Sequence, residues 1–157
     1  MIEVIRQRRV DALPERVWQL VDDPVELARW FSFAESIEHL DGQGLGRRQR
    51  QHGRWGKKRS EIEQEVTRYE PPNLLAWRHI EERLDGKPAP QFARSTEAFI
   101  ELHADGSGTR VVLRSVQEPA GTLKGLVIRL FGKREVARHF DRSLDALAQL
   151  VRSDQPT

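Results

Sequence analysis

The chain has 157 residues, 26 of them Lys or Arg and 24 Asp or Glu, for a net charge of +2 with neutral histidines. That length fits one domain that buries about two-thirds of its unfolded surface, so it needs no metal or disulfide for stability. With no cysteine, disulfide scaffolds, thiolate metal sites and cysteine nucleophiles are excluded, and the near balance of charge argues against a dedicated nucleic-acid binder.

The opening MIEVIRQRRVDALPERV has no apolar core of signal-peptide length, and no run approaches the roughly twenty apolar residues of a membrane span; the expected location is cytoplasmic. Residues 2–10, IEVIRQRRV, place Ile2, Val4 and Val10 on one parity and predict a strand. Arg6 and Arg8 share that parity; the favoured reading is a bulge that turns them out, the other a contact of one with a ligand carboxylate. Pro14 then opens PERVWQLV, a short helix with Asp11 upstream as its expected cap, and Pro24 opens a second, PVELARWF.

From Phe33 onward the signals are those of strands. SIEHLDG ends at Asp41-Gly42, and GLGRRQRQ leads to an expected turn at Gly53–Gly56. SEIEQEVTRY alternates up to Pro71-Pro72, and NLLAWRHIEERL ends at Asp85-Gly86. After a loop, KPAPQ, come RSTEAFIELH and TRVVLRSV. Six strands in a row with short links predict an antiparallel sheet. The end is helical: Val136, Phe140, Leu144, Leu147 and Val151 form one stripe, and LKGLVIRLFG forms another before it. Gly132 marks a kink or break between the two.

The stretch 47–59, RRQRQHGRWGKKR, holds seven Lys or Arg in thirteen residues and no acid. The next strand carries Glu61, Glu63 and Glu65 on one parity. A turn at Gly53–Gly56 sets Arg48 near Glu61, so the run reads mainly as a solvated outer face whose partners come later in sequence. Arg54, Lys57, Lys58 and Arg59, at the tip, lack evident partners. Trp55 alone is too few aromatics for nucleic-acid stacking. The glycines of GQGLG lead into a strand, so they offer no helix N-terminus to a phosphate. The histidines at 39, 52, 79, 103 and 139 lack metal-ligand spacing, and no Ser–His–acid set can be named.

Three segments carry a family resemblance: DALPERVWQLVDDPVELARWF, EVTRYEPPNLLAW and DGSGTRVVLRS. Together, and in this order, they resemble the START-like (SRPBCC, polyketide cyclase/dehydrase-like) superfamily over essentially the whole chain. The resemblance implies an α+β helix-grip fold: a seven-stranded curved antiparallel sheet wrapped around a long C-terminal helix, with two short helices after strand 1. It would occupy residues 1–152 as a single domain, leaving 153–157 as a tail. It also implies an apolar cavity, but no shared catalytic motif.

The function expected on this basis is binding or carrying of a hydrophobic or amphipathic small molecule, a lipid, polyketide or similar ligand, with no cofactor and no metal. The expected wall is Trp30, Phe33, Trp77, His79, Ala98, Val136 and Phe140. No catalytic residue is assigned, although His79, on the parity of Leu75 and Trp77, is the one candidate for proton transfer in a cyclase/dehydrase-type alternative. A third reading is a protein-interaction module of the chaperone-stimulating kind. The stripe of LKGLVIRLFGKR, edged by Lys124, Arg129, Lys133 and Arg134, is expected to cap the cavity, with transient contact at a membrane surface as the alternative.

Overall fold

The computed structural model describes residues 1–154. Strand β1 (Ile2–Val10) is followed by helices α1 (Pro14–Asp22) and α2 (Pro24–Leu27), then by β2 (Ser36–Asp41), β3 (Arg48–Trp55), β4 (Lys58–Glu70) and β5 (Leu74–Leu84). A two-residue β6 (Lys87–Pro88) precedes β7 (Ala93–Asp105) and β8 (Gly108–Pro119). Helix α3 (Thr122–Val127) passes through a π-turn (Ile128–Gly132) into α4 (Lys133–Ser153). Ser153, expected in the tail, ends α4, and 155–157 lie outside the described residues.

All strand pairs are antiparallel, in the order β1-β8-β7-β5-β4-β3-β2, with β6 attached only to β5. This is the expected helix-grip architecture, with β6 added where the sequence reads as loop. One face of the sheet carries Val66, Leu75, Trp77, Ile100, Leu102, Val111 and Leu113, all buried in one cluster with Phe140, Leu144, Leu147 and Val151 of α4. The four-three-four spacing of the α4 residues keeps them on one stripe, and the period-two alternation does the same for the strands. Helix α1 adds Val17, Trp18, Leu20 and Val21 to that cluster.

Several local expectations are corrected. Leu13, not Asp11, occupies the N-cap of α1, with no side-chain cap; the proline at the first position of the helix has no N–H to be capped. At α2 the Asp23 carboxylate accepts from the Val25 N–H at 2.9 Å. No bulge turns Arg6 and Arg8 out, because β1 pairs with β8 without interruption from Ile2↔Gln117 to Val10↔Thr109. They stay on the inner face because α4 offers acids there. Arg6 pairs with Asp141 at 3.7 Å, and Arg8 pairs with Asp145.

The β3–β4 turn is the tighter Gly56-Lys57, with Gly56 at φ 61°, so Arg48 faces Glu65 rather than Glu61. Gly53 belongs to the strand because the Phe33 carbonyl passes over it: a Cβ there would lie 2.5 Å from that oxygen. The outer face is the charge ladder the alternation suggests, with Arg48–Glu65–Arg78 and Glu38–Arg50–Glu63. Two members of the run depart from that picture. Arg47 is buried against Asp22 at 3.1 Å, and Arg54, expected free, pairs with Glu35 at 3.1 Å.

Candidate ligand site between sheet and helix

The expected wall residues fall into two groups. Trp30, Trp77 and Phe140 are buried, while Phe33, His79, Ala98 and Val136 are half-buried. The first group is locked into a ring cluster through Phe31. Phe31 lies 6.0 Å from Trp30, 5.3 Å from Phe33 and 5.5 Å from Trp77, and Phe33 lies 5.8 Å from Phe140. Edge-on and tilted contacts at these distances are favourable packing, worth about 1 kcal/mol per pair beyond area. Trp30 is further fixed by its indole N–H, which donates to the Leu20 carbonyl at 2.7 Å. At this level aromatic rings occupy the space between sheet and helix. Phe31, which links the cluster, stands beside Trp30 in RWFSF, where no local pattern tells which ring faces the sheet.

Toward the hairpin end, the inner face becomes polar. Gln49 of β3 stands opposite Gln64 of β4, which stands opposite His79 of β5; further along come Thr96 of β7 and Gln117 of β8, again a pair. The amides are chained: Gln49 Nε2 donates to Gln64 Oε1 at 2.9 Å, and Gln64 Nε2 donates to Gln51 Oε1 at 3.2 Å. Gln49 Oε1 is buried with no partner. His79 Nδ1 lies 3.2 Å from a Glu82 carboxylate oxygen, and this hydrogen bond holds the Glu82 carboxyl below its usual range. Thr96 and Gln117 are half-buried, so α4 leaves this part of the concave face partly open. The glutamines were legible in the alternation of RRQRQHG, where Arg and Gln take opposite faces.

A tie across the opening also escaped the sequence reading. His139 of α4 stacks on Phe33 at 4.4 Å, and its Nδ1 lies 2.8 Å from Ser32 Oγ. The Ser32 hydroxyl donates to the His139 carbonyl at 2.9 Å, and the Ser32 N–H donates to Ser143 Oγ at 2.9 Å. Glu135 lies 3.3 Å from His139 Nε2, so a Ser–His–acid line does exist, assembled from residues 107 positions apart. Its serine is engaged with a backbone carbonyl and its imidazole is packed under Phe33, which makes it a clasp between the α2–β2 connection and α4. Burial pushes the His139 pKa down, partly opposed by Glu135.

A separate groove of about 600 Å³ runs between β1 and the first turns of α4, lined by Glu3, Val4, Ile5, Arg6, Lys133, Arg134, Ala137, Arg138 and Asp141. None of the expected wall residues lines it. The stripe of α3 does not cap the site. Leu123, Leu126, Leu130 and Phe131 are exposed, while Gly125 and Ile128 face the protein. Gly125 packs so close to Pro119 that a Cβ would lie 3.0 Å from its ring.

A family model described as polyketide cyclase / dehydrase and lipid transport matches residues 1–152. The chain belongs to this family. The fold of the polyketide cyclase/dehydrase and lipid transport family recurs in solved structures. A Thermus thermophilus protein is 22% identical with a TM-score of 0.77, covering 99% of this chain and 100% of its own. An aromatase/cyclase from Streptomyces sp. R1128 is 19% identical with a TM-score of 0.74, over 96% of this chain and 93% of its own. Ara h 8.0201 is 14% identical with a TM-score of 0.74, over 98% of this chain and 99% of its own. No curated protein matches the chain. At such identities the likeness is one of fold, and the family is a ligand-binding one in which the chemistry is set by each member's own interior.

Proposed function

We propose that the protein binds and carries a hydrophobic or amphipathic small molecule between the sheet and α4, without covalent chemistry. The observation that supports this reading is the gradient along the concave face, from the Phe31–Trp77–Phe140 rings to the partly open row of His79, Thr96 and Gln117. An apolar ligand body placed against the rings gains about 25 cal/mol per Å² buried. One or two ligand hydroxyls or carbonyls meet the hydrogen-bonding groups of the row, which fixes orientation.

Native mass spectrometry of the purified protein, followed by solvent extraction, tests it. The expected result is a stoichiometric apolar adduct that is lost in Val136→Trp, which fills the opening from α4. A clean apo mass, together with no displaceable binding of an anilinonaphthalene dye, would overturn it.

A second reading, an enzyme of cyclase/dehydrase type, draws on the His79–Glu82 pair. A carboxylate beside an imidazole at the partly open end of the concave face is suited to general acid–base work. In that case His79→Ala would bind ligand as the wild type does and lose turnover; equal rates in the two proteins would remove His79 from any catalytic role.

A further inference from the structure

Residues 119–134 carry four cations and no acid. Within them α3 and the π-turn hold Leu123, Leu126, Leu130 and Phe131, between 50% and 75% exposed, on the side opposite Gly125 and Ile128. Lys124 and Arg129 lie within this segment, and Lys133 and Arg134 follow it at the head of α4, where they also line the β1–α4 groove. Lys124 donates to the Gln91 carbonyl at 3.0 Å, and none of these cations forms an ion pair among the described residues. An exposed apolar strip with basic neighbours, unpaired by any acid among the described residues, is the pattern of a helix lying in a lipid headgroup layer.

The topology adds a second contact at the same end of the molecule. With all strands antiparallel, the Gly56-Lys57 turn, the start of β7 and the end of β8 lie at one end of the sheet. Trp55 is 67% exposed there beside Lys57 and Lys58, and Phe92, 43% exposed, precedes β7. Indole and basic side chains together suit the membrane interface.

We infer that this end of the molecule, led by α3 and the π-turn, docks on an anionic lipid membrane. The charge pattern selects that occupant. A second copy meeting this face about a two-fold axis would set its cations against the same cations, and an uncharged bilayer would leave them without partners. The docking does not depend on the carrier reading, since none of these side chains belongs to the ring cluster or the polar row.

Cosedimentation of the full chain with phosphatidylcholine vesicles, with and without phosphatidylglycerol, is the test. Binding is expected only with the anionic lipid, weakened by high salt, with a blue shift of tryptophan emission. Leu126→Ser/Phe131→Ser and Arg129→Glu/Lys133→Glu are each expected to lower binding about tenfold while leaving far-UV circular dichroism and any bound small-molecule adduct unchanged. No sedimentation of the wild type with anionic vesicles would overturn the inference. So would equal binding to neutral vesicles, unchanged binding of both variants, or a lipid-free dimer that both variants dissociate. A protein that holds a ligand but ignores vesicles would fail this inference alone; one that binds vesicles but never holds a ligand would fail the carrier reading alone.

Discussion

Arg47 is the residue whose sequence context misleads most. It opens a basic run, yet it is 2% exposed; its Nη1 donates to Asp22, whose other oxygen accepts from the Tyr69 hydroxyl at 3.0 Å. Removing one partner of such a pair leaves a buried charge. Asp22→Ala is therefore expected to cost roughly 3 kcal/mol by urea denaturation, and Asp22→Ala/Arg47→Met to recover much of it. Gly53→Ala drives a methyl into the Phe33 carbonyl and is expected to cost about 1–3 kcal/mol. Neither position could be read from the sequence, because both depend on a chain segment some twenty or more residues away. His139 gives a pH prediction with a definite sign. Burial holds its pKa below the ordinary imidazole value, with Arg142 and Arg138 acting the same way and Glu135 against. Ser32 and Phe33 face the ring from the other side. The folded state thus favours the neutral ring: the clasp contributes fully above about pH 6.5 and is lost as pH falls through the lower folded value. Melting temperatures measured between pH 7 and 5 are expected to fall less steeply in His139→Gln than in the wild type.

At the scale of elements, periodicity reads well and phase reads poorly. The alternation from Ser60 to Val66 and the stripe of α4 each place their residues on the face the structure gives them, since those patterns are local and repeat; beyond Val66 a register shift breaks the alternation and brings Tyr69 to the inner face opposite Leu75. The β3–β4 register does not follow from them: either turn keeps the same parity, and the four-residue slip from Glu61 to Glu65 opposite Arg48 leaves arginine facing glutamate. Arg6 and Arg8 show the same limit, since their acidic partners lie on α4. Those pairs are largely exposed, so Asp145→Ala is expected to cost under about 1 kcal/mol. Phe140→Ala, by contrast, empties the place where α4 meets the rings and is expected to cost about 3–5 kcal/mol; both are measured by denaturant midpoint.

For the whole molecule, the order of elements and the family motifs made the architecture legible, and the chemistry of the interior was only half so. The aromatic half of the candidate site announced itself as Trp30, Phe33 and Trp77. The polar half is spread as single residues over β3, β4, β5, β7 and β8, and only the sheet pairing brings Gln49, Gln64 and His79 into one row. The π-turn governs how the two ends of the last helix share their duties. The Lys133 N–H reaches back five residues to the Ile128 carbonyl, so the turn holds one residue more than an α-helical turn would. Each residue of an α-helix advances the azimuth by about 100°, and one extra residue therefore resets the angular offset between α3 and α4 by about that much. The offset lets one unbroken rod present oily side chains inward along its second half and outward along its first. Deleting a single residue between 128 and 132 would restore an even winding and leave Leu126 outside, because the π-turn absorbs one extra residue while the helices on either side keep their faces. Wound evenly without that turn, the same sequence would swing Leu126 toward the sheet and trade an outward-facing oily strip for a lid.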